Sequence, residues 1–205
     1  MTETVIDEAF IEARKRDVKK RVSKKRFKHI LGVSDTACAL AKVYGQDTIK
    51  ASLAGVLHDW DKGYDDVGIR ERVVELGLDD RLDSWIVEHM PQVLHGPTAA
   101  CALGMEFPEI PQDVLEAIRK HTTADYEMSD LDKIIYISDA IEPSRTFDVV
   151  QELRDLVGTV SLDELYYRVY KFWTEALVAH DVVLYPETIA IWNDLATKRK
   201  KLVHG

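Results

Sequence analysis

The sequence has few cysteines and no long apolar run, and each shortage excludes a class of protein. Only Cys38 and Cys101 occur among 205 residues, too few for a disulfide framework or a cysteine metal site. No stretch of about 18 consecutive apolar residues is present, so we expect no membrane span. The first residues carry acids and lack the apolar centre of a secretory signal. These absences predict a soluble, cytoplasmic protein with buried free thiols.

Strand-like alternation of apolar and polar residues is also scarce, whereas helical spacing recurs along almost the whole chain. Between residues 29 and 45, apolar side chains return every three or four positions until Gly45 marks a helix end. Ser129 and Ser161 precede further helical segments as N-caps. No internal repeat or low-complexity segment is present. The sequence predicts one all-α domain of irregularly crossing helices, the last of which opens at Pro186.

The net charge of −9 is spread unevenly along the chain. Residues 14–28 hold ten Lys or Arg against one Asp, a local charge of +9, which leaves −18 for the remainder. A solvated helix face is the simplest interpretation of such a run. The alternatives are attraction of an anion towards a nearby site, or contact with nucleic acid. The strongly acidic remainder argues against an extended nucleic-acid surface.

The most informative segment is KASLAGVLHDWDKGY, residues 50–64, in which an apolar helix runs directly into His58 and Asp59. A buried charge without a partner costs several kcal/mol, so this pair requires an explanation. His29, at the start of another apolar helix, and Asp139, on the predicted buried face of a third, raise the same question. Imidazoles and carboxylates without thiolates are the ligands of a metal such as Fe, Mn or Co. The alternative is a buried His–Asp hydrogen bond with a purely structural role.

The order of these residues along the chain resembles the H…HD…D signature of the HD-domain metal-dependent phosphohydrolases, an all-α superfamily. A larger set of segments is similar to one family within it, the symmetrical bis(5′-nucleosyl)-tetraphosphatases of the YqeK type. These segments are KRFKHILGVSDTACALAKVYG, ASLAGVLHDWDKGY, LHGPTAACAL, IRKHTT, LDKIIYISDAIEPSR and YPETIAIWNDL. The resemblance covers nearly everything after residue 20.

The resemblance implies an HD-domain helical fold, a bound metal and a reaction. The reaction is symmetrical hydrolysis of diadenosine tetraphosphate to two ADP, by attack of a metal-bound water or hydroxide on a phosphoanhydride. The metal is iron, with manganese or cobalt as substitutes, and the implied ligands are His29, His58, Asp59 and Asp139. The implied catalytic residues are Asp59, Lys62 and Arg145. The residues implied for substrate binding are Asp59, Lys62, His95, His121, Thr122, Asp139, Arg145, Tyr185 and Pro186.

Two histidines of this set keep two interpretations. His95 and His121 either hold a second metal that Asp59 bridges, or contact phosphate directly and give a proton to the leaving group. We favour direct substrate contact with one firmly held metal. No site role is expected for the histidines outside the pattern, His89, His180 and His204.

The predicted domain spans residues 1–205 and divides into three parts. Residues 1–22 form a basic amphipathic helix, residues 23–145 the metal-site core, and residues 146–205 the C-terminal helices that complete the nucleotide pocket. The expected partner is a nucleotide, with no membrane and no nucleic acid. A homodimer is compatible with the sequence.

Three positions depart from the family pattern. Asp61 stands where the family commonly has a small residue, Ala124 replaces a glycine after His-Thr-Thr, and Ser144 replaces the glycine of an Glu-Pro-Gly-Arg motif. An acid at position 61 would repel phosphate unless it points to solvent or pairs with Lys62. These changes leave the implied metal ligands intact and bear on substrate preference.

Two other functions remain open at this level. The chain could be a different HD-type phosphohydrolase, such as a 5′-nucleotidase or a guanosine-tetraphosphate hydrolase. It could also be a non-enzymatic nucleotide- or RNA-binding module that uses the basic run. Formation of two ADP from diadenosine tetraphosphate would distinguish the tetraphosphatase from the other phosphohydrolases. Salt-dependent nucleic-acid binding without turnover would identify the binding module.

Overall fold

The computed structural model describes residues 6–204, and the side chains of residues 6–200. Eleven α-helices and one 3-10 turn, Pro91–Val93, lie within this part of the chain, which contains no strand. The helices are α1 (Glu8–Arg21), α2 (Lys24–Val43), α3 (Thr48–Leu57), α4 (Asp66–Glu75), α5 (Ser84–His89), α6 (His95–Glu106), α7 (Gln112–Lys120), α8 (Asp130–Ile141), α9 (Asp148–Asp155), α10 (Leu162–Ala179) and α11 (Thr188–His204). The all-α prediction is confirmed.

The three helices that present the predicted metal ligands, α2, α3 and α8, begin at side-chain N-caps. The Ser23 side chain accepts a hydrogen bond from the backbone N–H of Arg26, which fixes the start of α2. Asp47 accepts from two backbone N–H groups at the start of α3. Ser129 and Asp132 form the predicted capping box of α8. These caps set the register of each helix and therefore the direction in which its polar residues point.

Helix α3 lies at the centre and packs against α1, α2, α7 and α8. Its apolar residues Leu53, Val56 and Leu57 are fully buried. Gly55 permits the close approach of α2, because a Cβ atom there would lie 2.7 Å from the Cα atom of Ser34. The apolar run of α3 is therefore buried on all sides, and its C-terminal end delivers His58 and Asp59 into the interior.

A second, smaller apolar cluster lies under α4, α5 and the 3-10 turn. Its buried members are Ile69, Val73, Leu78, Ile86, Met90 and Leu94. Tyr185, from the segment before α11, packs against this cluster. The C-terminal segment thus reaches back to the part of the fold that precedes α6.

Several helix predictions need correction. Helix α9 was not predicted, because it contributes only Val150 and Leu153 to the interior and has no side-chain N-cap. The last helix begins at Thr188 and not at Pro186.

Cys38 and Cys101 are free but only partly buried. Of the helices within residues 6–204, none combines the length and the apolar character that crossing a membrane requires.

Candidate metal centre and phosphate pocket

Three helices bring His29, His58, Asp59 and Asp139 to one point. His29 lies in the second turn of α2, His58 is the C-cap of α3, and Asp139 lies in the last turn of α8. The Nε2 atom of His29 is 3.1 Å from Asp139 Oδ1 and 3.8 Å from Asp59 Oδ2. The Nε2 atom of His58 is 3.3 Å from the same Asp59 oxygen. Asp139 is less buried than predicted, with 26% of its side chain exposed.

Each of the two histidine rings is oriented through its other nitrogen. The Nδ1 atom of His58 is 2.7 Å from the carbonyl oxygen of Gly55, and only an N–H can donate there. The Nδ1 atom of His29 is 3.0 Å from Oε1 of the buried Glu142. Both contacts place the ring proton on Nδ1 and leave the Nε2 lone pair directed at the carboxylates. This arrangement is typical of metal-binding histidines.

Two ring nitrogens of this group lack a hydrogen-bond partner, and a cation would supply the missing interaction. The Nε2 atoms of His29 and His58 are buried, and neither has a hydrogen-bond partner among the described residues. Leaving such an atom unsatisfied costs about 1–3 kcal/mol. Two imidazole lone pairs and two carboxylates at one point fit a divalent metal with nitrogen and oxygen ligands. The group His29, His58 and Asp59 has ligand atoms that all lie within 4.8 Å of one another.

Both carboxylates of this group are held in the charged form. Burial acts to raise the pKa of Asp59, but His58, followed by His95 and His121, outweighs it and lowers the pKa well below its usual range. Burial also opposes the charge of Asp139, and the adjacent His29, then His58 and Arg145, lower its pKa. Charged carboxylates are the form that binds a metal.

His95, His121 and Thr122 form a second polar group beside the first. The Nε2 atoms of His95 and His121 are 3.0 Å apart, and the hydroxyl of Thr122 lies 3.2 Å and 3.0 Å from them. Asp59 Oδ1 is 3.4 Å from His95 Nε2. Asp59 therefore lies between the two groups, and its ligand atoms lie within 4.8 Å of those of His95 and His121 as well.

The two rings of this second group are neutral at neutral pH. Burial, followed by the neighbouring His58, lowers the pKa of His121 to about 4. Burial lowers the pKa of His95 well below its usual value, and His121 and Lys62 add to the effect. Their Nδ1 atoms face backbone carbonyl oxygens, 2.7 Å away for His121 and 2.9 Å away for His95. Their Nε2 lone pairs consequently point into the site.

Three cationic side chains border these groups. The Nζ atom of Lys62 is 3.4 Å from His95 Nδ1, and Arg145 donates through Nη2 to Asp139 Oδ1 at 2.8 Å. Arg26 donates through Nη1 to Asp59 Oδ2 at 3.0 Å. Burial lowers the pKa of Lys62; Asp59 opposes this effect, and Arg26 then lowers the pKa further. The site thus combines a negative centre with a positive border.

Sequence reasoning missed two of these residues. Arg26 was grouped with the solvated basic run, although it lies one turn before His29 on the same helix face. Glu142 received no role, although it stands three residues after Asp139. Glu142 is 1% exposed, and the absence of a side chain at Gly32 makes room for it, since a Cβ atom there would lie 2.7 Å from its Oε2.

Asp61 satisfies neither condition stated for it from the sequence. Its side chain is buried, so it does not point to solvent, and its partners are arginines and not Lys62. Arg21, at the end of α1, lies 3.1 Å from Oδ1, and Arg72, on α4, lies 3.4 Å from Oδ2. Two guanidinium groups therefore compensate its charge within the protein, which removes the expected repulsion of phosphate.

The other two departures from the family pattern also have local explanations. Ala124 has a φ of 63°, in the left-handed region where glycine is favoured. Ser144 donates both its backbone N–H and its hydroxyl to Glu142. The serine thereby fixes the carboxylate that orients His29, a contact that glycine could make only through its backbone.

A cavity of about 390 Å³ lies near this site, and Thr123, Leu94 and Tyr185 are among its lining residues. Pro186 is exposed and does not line it. A larger cavity, of about 990 Å³, lies between α7, α8, α10 and α11, and its lining contains none of the predicted site residues. The predicted nucleotide segment thus contributes Tyr185, and not Pro186, to the smaller cavity, whose lining includes no other predicted site residue.

The remaining histidines lie elsewhere in the structure. His89 is stacked on Trp85 and faces its carbonyl oxygen, and His180 faces the carbonyl oxygen of Ala176. Both are exposed. The side chain of His204 lies outside the described residues.

The family model of the HD domain matches residues 26–144, which include all four residues of the His/Asp group. An all-helical fold with this group, matched by that model, defines an HD-domain protein. A symmetrical bis(5′-nucleosyl)-tetraphosphatase from Staphylococcus aureus is 38% identical over 187 residues, covering 89% of this chain and 93% of the relative. The protein of the same name from Bacillus subtilis is 31% identical, covering 88% of this chain and 94% of the relative.

A solved structure of an HD superfamily protein is also similar to this chain. It is described as a predicted HD superfamily hydrolase involved in NAD metabolism, from Clostridium acetobutylicum. It is 34% identical in sequence, superposes with a TM-score of 0.81, and the match covers 91% of this chain and 97% of that one. The chain belongs to the HD-domain family of symmetrical bis(5′-nucleosyl)-tetraphosphatases.

Proposed function

We propose that this chain hydrolyses diadenosine tetraphosphate symmetrically to two ADP in a metal-dependent reaction. The observation that carries the proposal is the approach of His29 to Asp59 and Asp139 and of His58 to Asp59, with two unpartnered ring nitrogens. The names of relatives that are 31–38% identical over most of the chain supply the substrate.

The HD domain and the His/Asp group indicate a divalent metal. The proposed ligands are His29 Nε2, His58 Nε2 and one carboxylate oxygen each from Asp59 and Asp139. The proposed metal is iron, with manganese or cobalt as substitutes, because all of these accept nitrogen and oxygen donors. When bound, such an ion lowers the pKa of a water molecule and neutralises charge on the attacked phosphoryl group.

The chain's own cations hold the substrate phosphates in this proposal. Lys62 and Arg145 stabilise the negative charge that grows on the phosphoryl and leaving oxygens, and a guanidinium can contact two oxygens at once. The hydroxyl of Thr122 orients a phosphate beside His95 and His121. The cavity that contains Tyr185 takes the nucleoside of one ADP half, which places the cleaved bridge at the metal group.

His95 and His121 fit either of the two roles predicted for them. With Asp59 they form a nitrogen and oxygen donor group that suits a second ion. With Thr122 they form a polar surface that suits direct contact with phosphate. Metal stoichiometry separates the roles: two ions per chain in the wild type, falling to one in His121→Ala, supports a second metal. One ion in both proteins supports phosphate contact.

The test of the proposed function joins metal analysis with product identification. The purified protein is analysed for metal, incubated with diadenosine tetraphosphate, and its products are separated by chromatography. We expect bound metal and two ADP per substrate, with loss of turnover after chelation and recovery on adding Fe²⁺ or Mn²⁺. Formation of ATP plus AMP, or turnover unchanged by chelation, contradicts the proposal.

A panel of other substrates addresses the competing functions. Nucleoside 5′-monophosphates and guanosine tetraphosphate, tested with the same metal-loaded protein, should turn over much more slowly. The nucleic-acid alternative is disfavoured because Arg21 and Arg26 of the basic run contact buried carboxylates. A homodimer, a cytoplasmic location and the three-part division of residues 1–205 remain predictions.

A further inference from the structure

Arg26 is a cationic residue of the site to which no role has been given. It lies in the first turn of α2, where Ser23 caps the helix, and its side chain is 37% exposed. It reaches from the surface to Asp59, which is 2% exposed, and donates to Oδ2 at 3.0 Å. The guanidinium is therefore accessible to solvent while it contacts the proposed metal ligand.

The position of Arg26 parallels that of Arg145. Each arginine donates to one of the two carboxylates, Arg26 to Asp59 and Arg145 to Asp139. Their side chains are similarly exposed, at 37% and 31%. The two come from separate segments, one from α2 and the other from the segment after α8. The candidate metal centre therefore lies between two guanidinium groups.

Most of the donors of Arg26 remain available to a ligand. Among residues 6–204, its side chain makes one hydrogen bond, through Nη1, whereas a guanidinium offers five N–H donors. Arg21 differs, because it donates both to Asp61 and to the carbonyl oxygen of Trp60. Arg26 is thus held in place at one end and retains donors with the geometry that matches phosphate oxygens.

Arg26 also lies apart from the cavity proposed for the first nucleoside. That cavity takes its lining from residues 81–126 and 185–191, and neither helix α2 nor Lys62 contributes to it. Lys62 nevertheless lies 3.4 Å from Nδ1 of His95, the neighbour of the lining residue Leu94. Cleavage at the centre of a tetraphosphate leaves two phosphate groups on each side of the broken bond. The two sides carry similar negative charge, so each requires a cation of its own.

We propose that Arg26 binds the phosphates of the second nucleoside diphosphate half, the half that lies outside the Tyr185 cavity. This inference rests on the proposed function. It makes Arg26 the residue that contacts a bound dinucleotide but not a single bound ADP. Lys62, beside His95, then serves the half in the cavity. Arg26 serves the other half, because it contacts Oδ2 of Asp59, whereas His95 faces Oδ1.

The test compares two ligands on the metal-loaded protein. One ligand is ADP, and the other is diadenosine tetraphosphate with a methylene group in place of the central bridging oxygen, which cannot be cleaved there. Arg26→Gln should weaken binding of the analogue about 10- to 100-fold, the range for hydrogen bonds to a charged group. Affinity for ADP should change less than about threefold, because ADP occupies the other half. Arg26→Lys should recover part of the loss.

The matched control is Lys25→Gln, which removes the same charge from an exposed neighbour on the same helix. It should bind both ligands as the wild type does. Metal content per chain, measured for every variant, must stay unchanged. Equal losses for ADP and the analogue, no loss for either, or loss of metal in Arg26→Gln would overturn the inference. A wild type that binds the analogue but fails to cleave the natural bridge contradicts the proposed function alone.

Discussion

Asp59 and Asp61 are both buried aspartates, two residues apart in the turns that follow α3, yet their surroundings differ completely. Asp59 lies within 3.8 Å of ring nitrogens from His29, His58 and His95, and one arginine contacts it. Asp61 is contacted by Arg21 and Arg72 and, among the described residues, by no histidine.

The difference lies in what balances the charge. At Asp61 two guanidinium groups within the protein supply the compensation, and they join α1 and α4 to the turn between them. At Asp59 two of the neighbouring imidazoles, His29 and His58, present unpartnered Nε2 atoms, which are acceptors and not donors. A buried carboxylate among imidazole lone pairs needs a cation from outside the chain, whereas a carboxylate between arginines does not.

The largest effect is expected for Asp59→Ala, which removes the carboxylate shared by both histidine groups. The variant should lose its metal, and turnover of diadenosine tetraphosphate should fall by more than about 10³-fold, because charge stabilisation and water activation are lost together. The helical circular dichroism signal should persist. Metal analysis and product chromatography measure the two losses.

Asp35→Ala is the matched control, since it removes an exposed aspartate from α2. It should keep both metal and turnover. A soluble Asp59→Ala protein with full turnover would show that Asp59 resembles Asp61 in its role, and the comparison would collapse.

A smaller effect is expected for Glu142→Gln, which tests whether Glu142 orients the ring of His29 beside Asp59. Oε1 of Glu142 accepts from His29 Nδ1 and Oε2 accepts from the backbone N–H of Ser144. A glutamine has one acceptor oxygen, so its NH₂ group faces one of these two donors. Metal affinity should fall about 10- to 100-fold, the usual range for a residue that orients a metal-binding histidine. Competition with a chelator of known affinity measures the change.

The control for this variant is Glu12→Gln, an exposed glutamate on α1. Its metal affinity should equal that of the wild type. Unchanged metal affinity in Glu142→Gln would mean that backbone packing alone orients His29.

Asp61→Asn tests whether the contacts of Asp61 with Arg21 and Arg72 stabilise the fold. The asparagine amide can accept from one arginine but presents a donor to the other, so the free energy of unfolding should fall by about 2–3 kcal/mol. This figure lies below that for a fully buried pair, because the side chains of Arg21 and Arg72 are 31% and 14% exposed. Chemical denaturation measures the loss.

Turnover by folded Asp61→Asn should stay within about threefold of wild type, because among the described residues its side chain pairs with Arg21 and Arg72 and not with the candidate site. Metal content should be unchanged. A strong loss of metal with normal stability would contradict the structural role of Asp61.

The helices could be predicted because their signals are local, whereas the four convergent residues came from the order of family motifs along the chain. Apolar spacing and N-caps such as Ser129 act within one turn, and the HD pair stands out against the apolar run before it. The partners of Asp61 could not be predicted, since Arg21 lies 40 positions away and no local pattern records that contact. Arg26 had a local signal, one turn before His29, but the surrounding basic run concealed it.

Helix α9 and the conformation of Ala124 show a second kind of limit. A helix with two buried residues has too little periodicity to detect. A positive φ at a non-glycine residue is set by the surrounding turn, so the residue type gives no warning of it. The departure from the family's glycine was visible in the sequence, but its physical meaning required the backbone.

The smallest effect is expected for Ala124→Gly, at the position where the family commonly has a glycine. Removing the Cβ atom relieves about 1–2 kcal/mol of left-handed strain. It also removes a buried methyl group worth about 0.8 kcal/mol and adds about 0.5–1 kcal/mol of backbone entropy to the unfolded chain. These terms nearly cancel, so the free energy of unfolding should change by less than about 1 kcal/mol. Ala102→Gly, at a buried position within α6 that has no positive φ, lacks the relief and should destabilise by about 1.5–2 kcal/mol. Equal losses in the two variants would show that the backbone at Ala124 is unstrained.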